Sequence, residues 1–264
     1  YAITHKEPNR SNYEDNIGTM PKAERLNDWE LGYKYNSAIL TAAANFYYMN
    51  YNNQLVLTGA VDDKGYAILK NVGRSYREGI ELSLGFRPTT TSPLRFDGNL
   101  TLSRNRAKGW TVTPDDTKDI INLNSTPLSF SPNIILNNVF TFTKNGWNAS
   151  LQGQYIGKQY LTNTGFKSYA EDGKDISMML DSYFIANLSL DYTFKLPHIK
   201  SITAGVTIYN LLSEKYESNG LASAQFKSDG KGGVIAYQDA GQHSYAVFSA
   251  QAPANFIARL SISF

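Results

Sequence analysis

Phe256-Ile257-Ala258-Arg259-Leu260-Ser261-Ile262-Ser263-Phe264, the last stretch of the chain, decides the fold that the sequence predicts. Apolar side chains occupy every second position from Phe256 to Phe264, and polar ones fill the positions between them, with Ile257 as the exception. This alternation is typical of a β-strand with one apolar and one polar face. A soluble sheet with one wet face would show the same pattern, so the interpretation depends on the rest of the chain.

Composition excludes several classes of function. The formal net charge is +2, which gives no reason to expect nucleic acid as a partner. Cysteine is absent, so disulfides, thiolate metal sites and cysteine nucleophiles are excluded. His5, His198 and His243 lie far apart in the sequence without a suitably spaced carboxylate, so we expect neither a metal site nor a cofactor.

The hydropathy pattern bears on membranes. No apolar run approaches the roughly 18 residues of a membrane-spanning helix. This excludes a helical membrane protein but not a transmembrane barrel, which places its apolar side chains at alternate positions. The 18 Tyr, 13 Phe and 3 Trp fit a barrel, because such rings collect at bilayer interfaces. The opening Tyr1-Ala2-Ile3-Thr4 has neither an initiator Met nor a secretory signal, so we expect a fragment or a processed product.

The same alternation recurs along the chain and predicts nine strands after a strand end at residues 1–5. They are expected at 29–35, 40–48, 80–86, 94–102, 134–142, 147–155, 184–194, 202–208 and 256–264. Asn138 would interrupt the apolar face of its strand. The dipeptide Asn145-Gly146 predicts a type I′ turn between two of the strands.

The connections alternate between short and long. Long polar loops are expected at 6–25, 52–73, 105–131, 161–180 and 212–252, and the other connections are short turns. Transmembrane barrels have short periplasmic turns and long extracellular loops. We therefore predict an all-β, transmembrane antiparallel β-barrel whose polar face lines the lumen, with Phe264 at the periplasmic end. Open edges are too costly in hydrocarbon, so the strands must close as a small barrel or be completed by others.

Three stretches resemble the C-terminal half of TonB-dependent outer-membrane receptors, especially those of Bacteroides-type bacteria. They are Glu7-Pro8-Asn9-Arg10, Pro21-Lys22-Ala23-Glu24-Arg25-Leu26-Asn27-Asp28-Trp29-Glu30-Leu31-Gly32-Tyr33 and Ile208-Tyr209-Asn210-Leu211-Leu212-Ser213-Glu214-Lys215-Tyr216. Ala23 and Arg25 depart from the family pattern. The resemblance covers essentially the whole chain, including the terminal Phe264.

The resemblance implies a plugged barrel of about 22 strands. Residues 1–264 would supply its last nine to ten strands, and the plug domain and the earlier strands would lie outside the chain. The implied function is TonB-dependent uptake of a scarce nutrient complex, such as a ferric siderophore, haem or cobalamin, across the outer membrane of a Gram-negative bacterium. The implied partners are the rest of the barrel and its plug, the TonB complex acting through that plug, outer-membrane lipid, a large nutrient ligand and the barrel insertion machinery. In this class the machinery reads the terminal strand, here Phe256, Ala258, Leu260, Ile262 and Phe264.

Aromatic and polar residues of the long loops are the candidates for binding the ligand. They are Trp110, Tyr160, Phe166, Tyr216, Phe226, Tyr237, His243 and Tyr245. The alternative for each is a packing role inside the loops or the aromatic girdle. For Asn210 and Tyr216 we favour an anchoring role in the last loop.

Three other functions remain open at this level. Asp239 and His243 share the last loop, and such a pair could activate water in an outer-membrane enzyme. The polar face would equally permit a passive pore. A soluble β-sandwich would bury the apolar face against a second sheet.

Overall fold

The computed structural model describes residues 1–15, 20–61, 67–197, 199–238 and 244–263. One antiparallel sheet dominates it, in which ten strands follow one another in chain order. They are β1 (Ala2–Lys6), β2 (Glu24–Asn36), β3 (Leu40–Val61), β4 (Ala67–Phe86), β5 (Leu94–Lys108), β6 (Ile134–Lys144), β7 (Trp147–Ile156), β8 (Tyr183–Leu196), β9 (Ile199–Tyr209) and β10 (Asn255–Ser263). The ten positions at which strands were expected are confirmed. Phe264 lies outside the described residues.

Register places the apolar side chains of neighbouring strands side by side. Leu82, for example, lies opposite Ala44 on one side and Leu100 on the other. The side of the sheet that carries these residues is called the apolar face, and the opposite side the polar face. Asn138 lies opposite Gly98 and Gly153 on the apolar face, as its spacing predicts.

No described part of the chain forms a layer that buries the apolar face. Leu31, Tyr33, Phe46 and Leu260 are 74, 72, 55 and 69% exposed. A β-sandwich would bury these side chains against a second sheet, so that alternative is wrong. Among the described residues, β1 pairs only with β2 and β10 only with β9, so the sheet is an open part of a barrel wall.

The alternation of connections is confirmed except at one position: β3 ends at Val61 and β4 begins at Ala67, so the connection expected to be long at 52–73 is short. Short connections at 37–39, 87–93, 145–146 and between β8 and β9 lie at one end of the sheet, called the turn end. The longer segments 7–23, 109–133, 157–182 and 210–254 lie at the opposite end, called the loop end. No helix in the described parts of the chain is both long and apolar enough to cross a membrane.

Two segments that were expected to be loops form regular structure. β3 and β4 continue through most of residues 52–73, where the ladder pairs Gln54 with Val72 and Leu57 with Leu69. Apolar residues follow one another here, as in Leu55-Val56-Leu57, so the extension lacks the period-two alternation that predicts a strand. Val72 within it is buried.

Residues 10–15 form the short helix α1 (Arg10–Asp15) inside the segment 6–25, which was predicted as a loop. The Asn9 side chain caps the helix by accepting hydrogen bonds from the Asn12 N–H and the Ser11 hydroxyl. That segment also ends earlier than expected, because β2 begins at Glu24.

The hairpin between β6 and β7 allows a first prediction. Asn145 and Gly146 have φ angles of 51° and 85°, which confirms the type I′ turn. A Cβ on Gly146 would lie 2.7 Å from the Thr193 carbonyl oxygen. We expect Gly146→Ala to lower the free energy of unfolding by about 1 to 2 kcal/mol, measured by urea titration in detergent micelles. Asn145→Gly is the control and should be nearly neutral; equal losses in both variants would contradict the explanation.

Candidate ligand-binding site

The long segments at the loop end contain strands of their own. The predicted loops 105–131, 161–180 and 212–252 are therefore more ordered than expected, because local backbone pairing stabilises them. The short strands pair as Thr111–Val112 with Ile121–Asn122, Ser125–Pro127 with β5, Gln159–Tyr160 with Met179–Leu180, Ser168–Glu171 with Lys174–Ser177, Gln225–Ser228 with Val234–Tyr237, and Glu217–Ser223 with Tyr245–Ala250.

The loops are joined to one another. Ala170 pairs with Tyr237 in a parallel bridge between segments 157–182 and 210–254. The Asp115 N–H donates to the Phe226 carbonyl at 2.8 Å, and the Ser228 N–H donates to the Asp116 carboxylate at 2.9 Å. Segments 109–133, 157–182 and 210–254 are therefore one connected assembly, called the loop assembly.

Two hydrophobic clusters stabilise the loop assembly. The first contains Val56, Val72, Ala107, Trp110, Val112 and Leu128. The second contains Leu161, Tyr169, Met178, Leu180, Ala222 and Ala236. Phe226 packs against both clusters and so connects the two cores. Burial raises the pKa of the Tyr169 phenol, with a smaller contribution from the nearby Glu171 carboxylate.

Four of the predicted ligand-binding residues lie in or beside these cores. Trp110 and Tyr237 are each only 8% exposed. Phe166 and Phe226 are partly buried, with ring centroids 5.6 Å apart. The Lys227 ammonium group, which the sequence gave no reason to single out, lies 4.8 Å from the centroid of the Tyr237 ring.

The other candidates are more scattered. Tyr160 accepts a hydrogen bond from the Phe130 N–H through its carbonyl. Tyr216 contacts Tyr183, with 4.3 Å between ring centroids, at the base of the last loop. Tyr245 is partly buried, which raises the pKa of its phenol. His243 and Asp239 lie outside the described residues.

Asn163 is a residue that the sequence pattern did not single out. It has 0% exposure, and its side chain donates to the Leu57 carbonyl and accepts from the Ser129 N–H at 2.8 Å. It thereby joins segment 157–182 to segment 109–133 and to the end of β3. A buried asparagine in a long polar segment carries no periodic signal by which it could be found.

We expect Asn163→Ala to loosen the loop assembly while leaving the barrel wall intact. The Leu57 carbonyl and Ser129 N–H would lose their partners, at about 1 to 3 kcal/mol in local stability. Hydrogen exchange of the Leu161 and Phe130 amides should accelerate about ten-fold or more. Asn219→Ala, which removes an exposed side chain of the same loop assembly, should leave these rates unchanged. Equal protection in the Asn163 variant and the unchanged protein would contradict this role.

Asn210 anchors the last loop where it leaves β9. It is 4% exposed and has a φ angle of 48°. Its side-chain amide donates to the carbonyls of Glu214 and Ala252 at 2.9 and 3.0 Å, and its side-chain oxygen accepts from the Glu214 N–H at 2.9 Å. The expected anchoring role of Asn210 is confirmed.

The polar face carries a network of hydrogen bonds across the strands. The Arg259 guanidinium pairs with the Asp191 carboxylate and donates to the Thr207 hydroxyl at 3.2 Å. Asp191, Gly205 and Arg259 lie opposite one another on β8, β9 and β10. The ion pair can cross the middle strand because Gly205 has no side chain. A Cβ at this position would lie only 1.9 Å from an Asp191 oxygen.

The two faces offer different cavities. A groove of about 310 Å³ on the polar face is lined by residues such as Arg95, Asp97 and Asn137. A groove of about 460 Å³ is lined mainly by apolar-face residues such as Tyr33 and Leu82. The second groove faces the side where lipid would lie, so it is not a candidate for a soluble nutrient. In the described parts of the chain, no group of three or more His, Asp or Glu side chains is arranged to hold a metal ion.

Comparisons with known proteins agree with this geometry. The family model described as TonB dependent receptor-like, beta-barrel, matches residues 7–211, which is more than half of the chain. Among solved structures, the ferric-catecholate import receptor Fiu from K12 E. coli has a TM-score of 0.63 at 15% identity, over 99% of this chain and 32% of that chain. The ferric yersiniabactin uptake receptor FyuA from Yersinia pestis gives 0.60 at 18%, over 92% of this chain and 30% of that chain.

The copper transporter OprC has a TM-score of 0.63 at 15% identity, over 99% of this chain and 36% of that chain. At these identities the likeness shows the fold alone. The chain spans 30 to 36% of the length of these three structures. No curated protein matches it.

Proposed function

The chain belongs to the family of TonB-dependent receptor-like β-barrels, and from this we propose that residues 1–264 form the C-terminal part of the barrel of an outer-membrane transporter. This transporter takes up a scarce nutrient complex with energy delivered by the TonB complex through a plug domain. The observation that carries the proposal is the loop assembly, which joins three long segments at one end of a wall with a polar inner face. Such an assembly offers a large ligand one composite surface.

We propose a ferric siderophore or a related metal complex as the ligand. Fiu and FyuA are described as receptors of ferric complexes, and OprC as a copper transporter. In the loop assembly, the exposed Lys227 ammonium group lies over the Tyr237 ring. Phe226, whose ring packs against Phe166, precedes Lys227 in the same strand and points to the opposite side of it. A cation next to aromatic rings suits a large anionic complex with planar rings, such as a ferric catecholate. Tyr160, Tyr216, Tyr245 and His243 remain proposed ligand contacts on the strength of the sequence alone.

Uptake by whole cells tests the function. Cells that carry the full-length gene should accumulate radioactive iron from ferric siderophores, and cells without the gene should not. Deletion of tonB should abolish accumulation but retain surface binding. Accumulation that persists without TonB, or conductance without ligand in a planar bilayer, would favour the passive pore instead.

Lys227 tests the proposed binding centre. We expect Lys227→Gln to weaken binding of an anionic ferric siderophore about ten-fold, because a charge-assisted contact is lost. Titration of the purified full-length protein by ligand-induced fluorescence quenching would measure the affinity. Lys231→Gln, at an exposed lysine of the adjacent turn, is the matched control and should bind normally. Equal affinities in the two variants would refute this location but not the uptake function.

We also propose that β10 is the insertion signal for outer-membrane assembly, through Phe256, Ala258, Leu260, Ile262 and Phe264. Their apolar side chains are exposed along the described part of this strand.

A further inference from the structure

On the apolar face of β2 to β5, the side chains become more polar and more basic from row to row toward the loop end. Register defines each row across these four strands. The first row is Leu31, Phe46, Ile80 and Leu102. The second is Trp29, Tyr48, Glu78 and Arg104. The third is Asn27, Asn50, Tyr76 and Arg106, and the fourth is Arg25, Asn52, Arg74 and Lys108. The face therefore passes from fully apolar to basic within a few residues of each strand.

Aromatic rings mark where the apolar band ends. Tyr1, Trp29, Tyr48 and Tyr76 form a continuous series with ring centroids 5.0, 6.0 and 6.1 Å apart. In membrane barrels such a series lies at the level of the lipid headgroups. The loop end is the extracellular end of such a barrel. The basic side chains of the upper rows therefore lie at the height of the outer-leaflet headgroups.

The positive charges of these rows are poorly compensated. Arg25, Arg74, Arg104, Arg106 and Lys108 supply five cations, called the basic patch. Glu78 lies in the same rows, 3.9 Å from Arg104. No other carboxylate of the described residues forms an ion pair with a member of the patch.

Arg74 and Lys108 are directly opposite on neighbouring strands. Like charges in this position destabilise a sheet unless an anion lies between them. Lys108 is held over the Tyr76 ring, 5.1 Å from its centroid, which keeps its ammonium group close to the headgroup level. Arginine forks match phosphate geometry, and Lys108 has Arg74 opposite it and Arg106 two residues before it on the same strand.

We propose that the basic patch binds the phosphate groups of outer-leaflet lipid headgroups. The ligand class is a phosphorylated lipid with its acyl chains on the apolar rows and its phosphates on Arg74, Arg106 and Lys108. The site lies on the outer, apolar side of the wall, although the backbones of Arg106 and Lys108 also pair with Pro127 and Ser125 of the loop assembly.

Lipid retention by the purified full-length protein tests the proposal. The probe is lipid A carrying both phosphates, mixed into phosphatidylcholine nanodiscs, with dephosphorylated lipid A as the reference. Each basic side chain near an anionic surface contributes about five-fold in affinity. The triple variant Arg74→Gln/Arg106→Gln/Lys108→Gln should therefore retain on the order of 100-fold less phosphorylated lipid, measured by native mass spectrometry.

The matched control is Lys144→Gln/Lys195→Gln/Lys200→Gln, which removes three exposed lysines at the turn end. It should retain lipid normally. The single variant Arg74→Gln should retain about five-fold less phosphorylated lipid, and it replaces the triple variant in the test if the triple variant does not fold. Equal retention of lipid by the patch and control variants, equal retention of dephosphorylated lipid A, or full competition by millimolar inorganic phosphate would overturn the proposal.

Discussion

Gly205→Val is expected to lower the free energy of unfolding of the barrel by about 3 kcal/mol, measured by urea titration in detergent micelles. The physical reason is the ion pair that crosses over Gly205. Any Cβ there displaces the Asp191 carboxylate, which is 9% exposed and would lose its Arg259 partner. A largely buried carboxylate without a partner is costly.

A second background separates this clash from a general intolerance of valine. In the variant Asp191→Ser/Arg259→Ser, the space above residue 205 is free. There Gly205→Val should cost less than about 1 kcal/mol, since valine favours strands. The same cost in both backgrounds would show that the ion pair is not what requires glycine.

Asn210→Ala is expected to cost about 2 to 4 kcal/mol and to release the last loop. Alanine removes the three side-chain hydrogen bonds to Glu214 and Ala252. It also disfavours the left-handed backbone at this position. Limited proteolysis of the folded protein should then cut within residues 210–254, while heat-modifiability of the barrel on gels is retained.

Asn210→Gly separates the two contributions. Glycine accepts the backbone angle freely but makes no side-chain hydrogen bonds. It should therefore recover about 1 kcal/mol relative to alanine and remain well below the unchanged protein. Stability equal to that of the unchanged protein would mean that the backbone angle alone matters at Asn210.

The wall was predictable because its signal is local and repeated. In Trp29 to Tyr35, as in β10, every second side chain meets the same environment, so the alternation appears directly in the sequence. The phase of short and long connections then orients each strand. The extension of β3 and β4 gave no such signal, because apolar residues such as Leu55, Val56 and Leu57 are consecutive and so show no alternation.

The candidate site was predictable only as a list of ring-bearing loop residues. Its organisation depends on contacts between distant segments, such as the Ser228 N–H to Asp116 across 112 positions. These contacts bury Trp110, Tyr237 and Asn163 and place Lys227 over the Tyr237 ring. The amino-acid composition of the loops does not predict them. Asn210 was the exception, since the family pattern around Tyr209-Asn210-Leu211 already indicated an anchor.

The shared cores constrain how the proposed ligand preference can be altered. Phe226 packs against both hydrophobic clusters, and Asn163 connects two loop segments to β3. A single segment taken from a relative would therefore lack the neighbouring residues against which it packs. Chimaeras that exchange one segment alone should misfold locally and transplant no specificity. To change the proposed ligand, segments 109–133, 157–182 and 210–254 would have to be transferred together onto an unchanged barrel wall.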